Sequence, residues 1–209
     1  MTDAAVDFSS LLCSRLCHDL LSPVGAMNNG LELMADEDDP AMREQVLQLL
    51  ADSARTSADR LKFFRLAFGA AGGMGDAVGS NEVRAAVEGL ARGNARLELG
   101  WMVEQATLPK AVAKIMLNLS MIAIEAMVRG GRVDVGAEGN EVVIRAEGPR
   151  LAIDKEVRAV LTGEAGEETL SARTSVAWLV RRIAAEHAGR IQLADHEPGV
   201  LLLAAALPG

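Results

Sequence analysis

Residues 15–34 read RLCHDLLSPVGAMNNGLELM, and a histidine sits beside an aspartate five residues before a proline. We set His18 at zero on a helical wheel and advance about 100° per residue. Leu12, Leu16, Leu20, Pro23, Met27 and Met34 then fall about 120–200° away. Cys13, Val24 and Leu31 widen that apolar stripe to about 240°. Ser14, Ser22, Gly25 and Asn29 lie within about 40° of the histidine. A histidine serving a core belongs in the apolar stripe, and His18 is set opposite it. The reading is an imidazole presented outward among small, low-profile neighbours, open to approach by another macromolecule. Asp19 lies about 100° around the helix. It is a candidate to orient the ring through Nδ1–H, which leaves Nε2 to act as nucleophile.

The helical pattern covers residues 7–34. Asp39 then reads as an N-cap and Pro40 as the first helical residue of a second long helix to residue 68. Met42, Val46, Leu49, Leu50, Leu61 and Leu66 supply its apolar positions. Two long helices with a short turn form a hairpin, and one hairpin leaves its apolar stripe uncovered. Pairing two copies as a four-helix bundle covers it, so a homodimer is expected. The run GAAGGMGDAVGS, residues 69–80, reads as a linker. The expected organisation is a hairpin over 1–70, a linker over 71–80 and a second domain over 81–209.

That second domain reads as α+β, with helices on one face of a mixed sheet. A short helix is expected at 81–92 and a strand at 96–103. Pro109 opens an apolar helix that runs to about residue 128. Two strands follow, joined at Gly139-Asn140, then a helix at about 171–188 and a last hairpin around Glu197-Pro198-Gly199.

Composition narrows the function. Phe, Trp and Tyr together number six and Tyr is absent, so base-stacking platforms are scarce. A formal charge of −8 disfavours binding to a phosphate backbone. Neither nucleic acid nor a membrane is an expected partner, because no apolar run reaches the length of a span. The first ten residues are polar and acidic rather than a secretory leader, and Cys13 and Cys17 sit one turn apart, poorly placed to bridge. A cytoplasmic protein with reduced thiols is expected. Cys13, Cys17 and His18 make a poor metal set, since His18 points away from the pair.

At His18 the string H-D-L-L-S-P-V resembles the phosphoacceptor box of histidine kinases. The longer run quoted above resembles the histidine phosphotransferases of the ChpT type, an alphaproteobacterial family that relays phosphoryl groups between receiver domains. The resemblance extends over most of the chain. It implies a dimeric four-helix bundle followed by a sandwich like the histidine-kinase ATPase domain. KIMLNLSMIAIEAM, residues 114–127, resembles the kinase asparagine box, with Asn118 as its first asparagine. The second asparagine, a Mg²⁺ ligand in kinases, falls on Ile122. The aspartate-glycine box falls on Ala146-Glu147-Gly148-Pro149-Arg150, with alanine in the aspartate's place. Lid glycines fall on Thr174 and Val176. Isoleucine offers no oxygen to a hard cation, and alanine accepts nothing from adenine. The resemblance therefore implies a kinase-like scaffold that has lost its nucleotide site.

The expected activity is phosphoryl relay through His18, with Asp19 beside it and Ser14, Ser22, Gly25 and Asn29 as the docking patch. Its partners would be receiver domains of a hybrid histidine kinase and of response regulators. No cofactor of its own is implied, because the receiver supplies Mg²⁺. Two other readings stay open on the residues: a divergent ATP-dependent histidine kinase, and a non-catalytic dimeric scaffold that binds response regulators.

Overall fold

A computed structural model describes residues 2–69, 76–195 and 197–208, with side chains from Val6 onward. The chain begins with the hairpin α1 (Thr2–Asp36) and α2 (Pro40–Ala67). The Asp39 carboxylate accepts from the Ala41 amide, and Pro40 follows at the helix start. Both features match the sequence reading. α1 runs unbroken through Pro23. The two helices approach closely at Gly30, where a Cβ would lie 2.9 Å from Leu50 Cδ2. A side chain there would push the Leu50 methyl aside. Leu49 and Leu61, expected among the apolar positions of α2, are exposed at 43% and 51%. A single hairpin has one partner helix per helix, so its second apolar flank faces water.

Among the described residues, four further α-helices and seven strands complete the order: β1 (Ala77–Gly79), α3 (Ser80–Ala91), β2 (Leu97–Val103), β3 (Thr107–Pro109), α4 (Lys110–Ala126), β4 (Gly131–Glu138), β5 (Glu141–Glu147), α5 (Lys155–Thr162), α6 (Ser175–Glu186), β6 (Arg190–Ala194) and β7 (Val200–Ala206). The main sheet runs β2-β4-β5-β7-β6. β2 pairs in parallel with β4, and the remaining pairings are antiparallel. The sheet is mixed, as expected. Alternation sets its two faces: Val133, Val135, Ile144, Ala146, Leu201 and Leu203 are fully or almost fully buried on the side the helices cover. The hairpin turn at Gly139 has φ +58°, a conformation suited to glycine.

The structure departs from the sequence reading in three places. Of the expected linker, 71–75 lie outside the described residues, and Ala77–Gly79 instead form a strand paired with Thr107–Pro109. Three residues pair too briefly to show an alternation. The helix α5 had no counterpart in the sequence reading. The helix expected from 171 begins at Ser175, because Thr174 folds its hydroxyl onto the Thr169 carbonyl at 2.6 Å. His196, which the sequence suggests as a turn residue, lies outside the described residues.

The root of the hairpin is built into the second domain. Phe8, Phe63, Phe64 and Ala67 belong to one apolar cluster with the sheet and α4. The Arg182 guanidinium lies 4.1 Å from the Phe8 ring centroid, and the Asn118 side chain donates to the Ala67 carbonyl at 3.3 Å. This anchoring holds the middle of α1 at a fixed height beside α4.

Candidate active site

His18 stands in the middle of α1 with its side chain 84% exposed. Its Nδ1 is 3.2 Å from Asp19 Oδ1, which leaves Nε2 as the ring nitrogen without that neighbour. Asp19 itself is only 15% exposed and is held from several sides. Arg15, one turn earlier on α1, donates from Nε to Asp19 Oδ2 at 3.1 Å. The same guanidinium donates from Nη2 to Glu125 Oε1 on α4. Arg60 on α2 donates to the backbone carbonyl of Asp19.

Pro23 explains that last bond. In an α-helix the carbonyl of residue 19 accepts from the amide of residue 23, and proline has no amide to give. The carbonyl that Pro23 leaves free is taken by Arg60. The proline of the H-D-L-L-S-P-V string therefore serves the aspartate four residues before it.

Burial pushes the Glu125 carboxyl above its ordinary range, while the Arg15 charge beside it pulls the other way. Nearly half of that side chain is open to water, so screening keeps the consequence small.

Ser14, Ser22 and Asn29 are exposed on the same helix as His18, and Gly25 is partly buried with open space where a Cβ would stand. Cys13 and Cys17 are free and exposed. Among the described residues no group of three or more His, Cys, Asp or Glu side chains is placed to hold a metal ion. Nor is any helix long and apolar enough to cross a membrane.

Asn118, Ile122, Ala146, Thr174 and Val176, positions that resemble kinase nucleotide boxes in the sequence, are buried. Ile122 and Val176, 5% and 3% exposed, line a cavity of about 270 Å³ with Arg15, Glu125, Asp154 and Arg173. Both cations in its wall are paired, Arg15 with Glu125 and Arg173 with Asp154. Ala146 and Thr174 are wholly buried, and Asn118 points its amide at the Ala67 and Lys114 carbonyls.

Three residues of this site went unnamed in the sequence reading: Arg15, Arg60 and Glu125. Arg15 carried a local signal, since an Arg–Asp pair four apart shares a helix face. Arg60 and Glu125 carried none, because each meets the site only through tertiary packing.

A family model described as the histidine phosphotransferase C-terminal domain matches residues 80–199. The protein phosphotransferase ChpT of Brucella abortus (strain 2308) is 37% identical over 193 residues, 90% of each chain. A solved structure described as a bacterial phosphotransferase superposes with a TM-score of 0.84 at 32% identity, covering 96% of each chain. The chain belongs to the histidine phosphotransferase family.

Proposed function

We propose that the protein relays phosphoryl groups between receiver domains through phospho-His18. The observation that carries this reading is the exposure of His18 with Nδ1 beside the Asp19 carboxylate. Nε2 attacks the phosphorus of an aspartyl phosphate on a receiver domain. The P–N bond forms as the P–O bond to the aspartate breaks, and the receiver's carboxylate leaves with the electron pair. The ring becomes cationic, and the Asp19 carboxylate at Nδ1 offsets that charge. Transfer to the second receiver is the reverse reaction with a different aspartate. The receivers, one from a hybrid histidine kinase and others from response regulators, bring the Mg²⁺ that neutralises the phosphoryl oxygens. Ser14, Ser22, Gly25 and Asn29 form the small-residue floor on which they dock.

The phosphate comes from the receiver and not from ATP. Ala146, Ile122 and Val176 support this, because alanine accepts nothing from adenine and isoleucine and valine offer no ligand to a cation or a phosphate. Two copies pair through the hairpin, and cytoplasmic residence follows from partners of this kind. The exposed flank supports pairing: Val24, Leu31, Leu49 and Leu61 are 40–60% exposed, and such a stripe marks an interaction surface.

Incubation with a phosphorylated receiver tests the reading. Wild type takes up label that is acid-labile and base-stable, and the His18→Gln variant takes up none. Uptake by His18→Gln refutes the assignment of the nucleophile. Receiver binding without label supports a scaffold, and Mg²⁺-dependent titration by a fluorescent nucleotide supports a kinase.

A further inference from the structure

The geometry points to Arg15 as the positioning residue of the phosphoacceptor, with Glu125 as its anchor in the second domain. This inference rests on the relay reading for its kinetic consequence but not for its structural one. Asp19 follows His18 directly, so its carboxylate reaches Nδ1 in only part of its rotational range. Arg15 fixes it from the other side. Its Nε holds Oδ2 at 3.1 Å while Oδ1 faces His18 Nδ1 at 3.2 Å. Arg60 holds the backbone of the same residue through the carbonyl that Pro23 leaves free. Arg15 is in turn held from α4, 110 residues away in sequence, by Glu125.

The guanidinium suits this task because its donors form a planar fork. One arm binds Asp19 and the other Glu125, so the plane of the guanidinium transmits the position of α4 to the Asp19 carboxylate. A lysine offers one ammonium on a flexible stem and cannot define that plane. The chemical result is a tautomer choice. A fixed Oδ1 accepts from Nδ1–H, so Nε2 keeps its lone pair outward. Releasing Asp19 removes the preference, and part of the population then carries its proton on the nitrogen that must attack. On this account the second domain, whose nucleotide positions are filled with core residues, acts on transfer by holding the acceptor's carboxylate.

The test uses full-length protein with ¹⁵N-labelled histidine, unphosphorylated and without a partner. In wild type the His18 ring nitrogens report the Nδ1–H tautomer. Arg15→Gln and Arg15→Lys both move the shifts toward a mixture, and Glu125→Gln moves them the same way by less. In transfer assays kcat falls about ten- to a hundredfold for Arg15→Gln while KM for the receiver stays within about twofold of wild type. Circular dichroism verifies folding; should Arg15→Gln unfold, Glu125→Gln carries the same tautomer test from the more exposed end of the link. A wild-type ring without the Nδ1–H preference, or variants with unchanged ring shifts, overturns the inference. So does an Arg15→Lys variant with wild-type shifts and kcat. A wild type that is never phosphorylated refutes the relay reading instead, and the ring shifts still decide the role of Arg15.

Discussion

Asp154 and Asp19 show how one residue type does different work under different neighbours. Asp154 caps α5, accepting from the amides of Glu156 and Val157 at 2.9 and 3.3 Å. Burial pushes its carboxyl up, yet the two amides and Arg173 together outweigh that and hold it below the ordinary carboxylate range. A carboxyl depressed in the fold stabilises above the unfolded value, near ~3.9, and loses that contribution as pH falls through the folded one. Asp154→Ala is expected to cost about 1 kcal/mol at neutral pH, the usual worth of an N-cap. Urea titrations at several pH values check this: the gap between variant and wild type narrows below about pH 4 and closes further down. At Asp19 the carboxylate instead divides between Arg15 and His18. His18→Gln is expected to abolish labelling because glutamine has no ring nitrogen to attack, and phosphoryl uptake measures it.

Within α1 the decisive feature is the pairing of Pro23 with Arg60. A proline inside a helix costs about 3 kcal/mol against alanine, and here the freed carbonyl regains a donor from α2. Pro23→Ala restores the helical amide, which then competes with Arg60 for the Asp19 carbonyl. The expected outcome is a melting temperature no lower than that of wild type with slower phosphoryl transfer, a split that thermal denaturation and transfer kinetics read separately. The wheel placed His18 opposite the packed stripe, and α1 presents it so, because one helix face follows from spacing alone. The wheel did not separate the half of the stripe that packs on α2 from the half that does not. Pro23 is buried whereas Val24 and Leu31 are 40% and 60% exposed, a division that depends on where the second helix lies. The small helix α5 escaped the reading although Asp154 and Gly163 bracket it, since eight residues carry only two turns of periodicity.

Across the whole molecule, the hairpin and the sheet share one apolar cluster at the root, while the far part of the hairpin leaves leucines in water. The proposed homodimer covers them. Leu31→Glu places a charge in that stripe and is expected to shift sedimentation from dimer to monomer at micromolar concentration. Circular dichroism should stay unchanged, because Leu31 is 60% exposed in the single chain. A dimer that survives the substitution moves the pairing surface elsewhere on the hairpin.

The sequence by itself determined the two long helices and their cap, the outward histidine and the hairpin at Gly139. Each of these follows from local periodicity, turn chemistry or residue type, so each is written within a few turns of chain. Tertiary structure alone decided that β1 leaves the linker to pair with β3, and that Phe8 and the end of α2 enter the core of the second domain. It also decided that Arg60 reaches the Asp19 carbonyl and Glu125 the Arg15 guanidinium. The two side-chain links join residues 41 and 110 positions apart, and no spacing within a helix or strand encodes any of these contacts. RLCHDLLSPVG specifies a histidine that faces outward, and α2 and α4 determine how its aspartate is held.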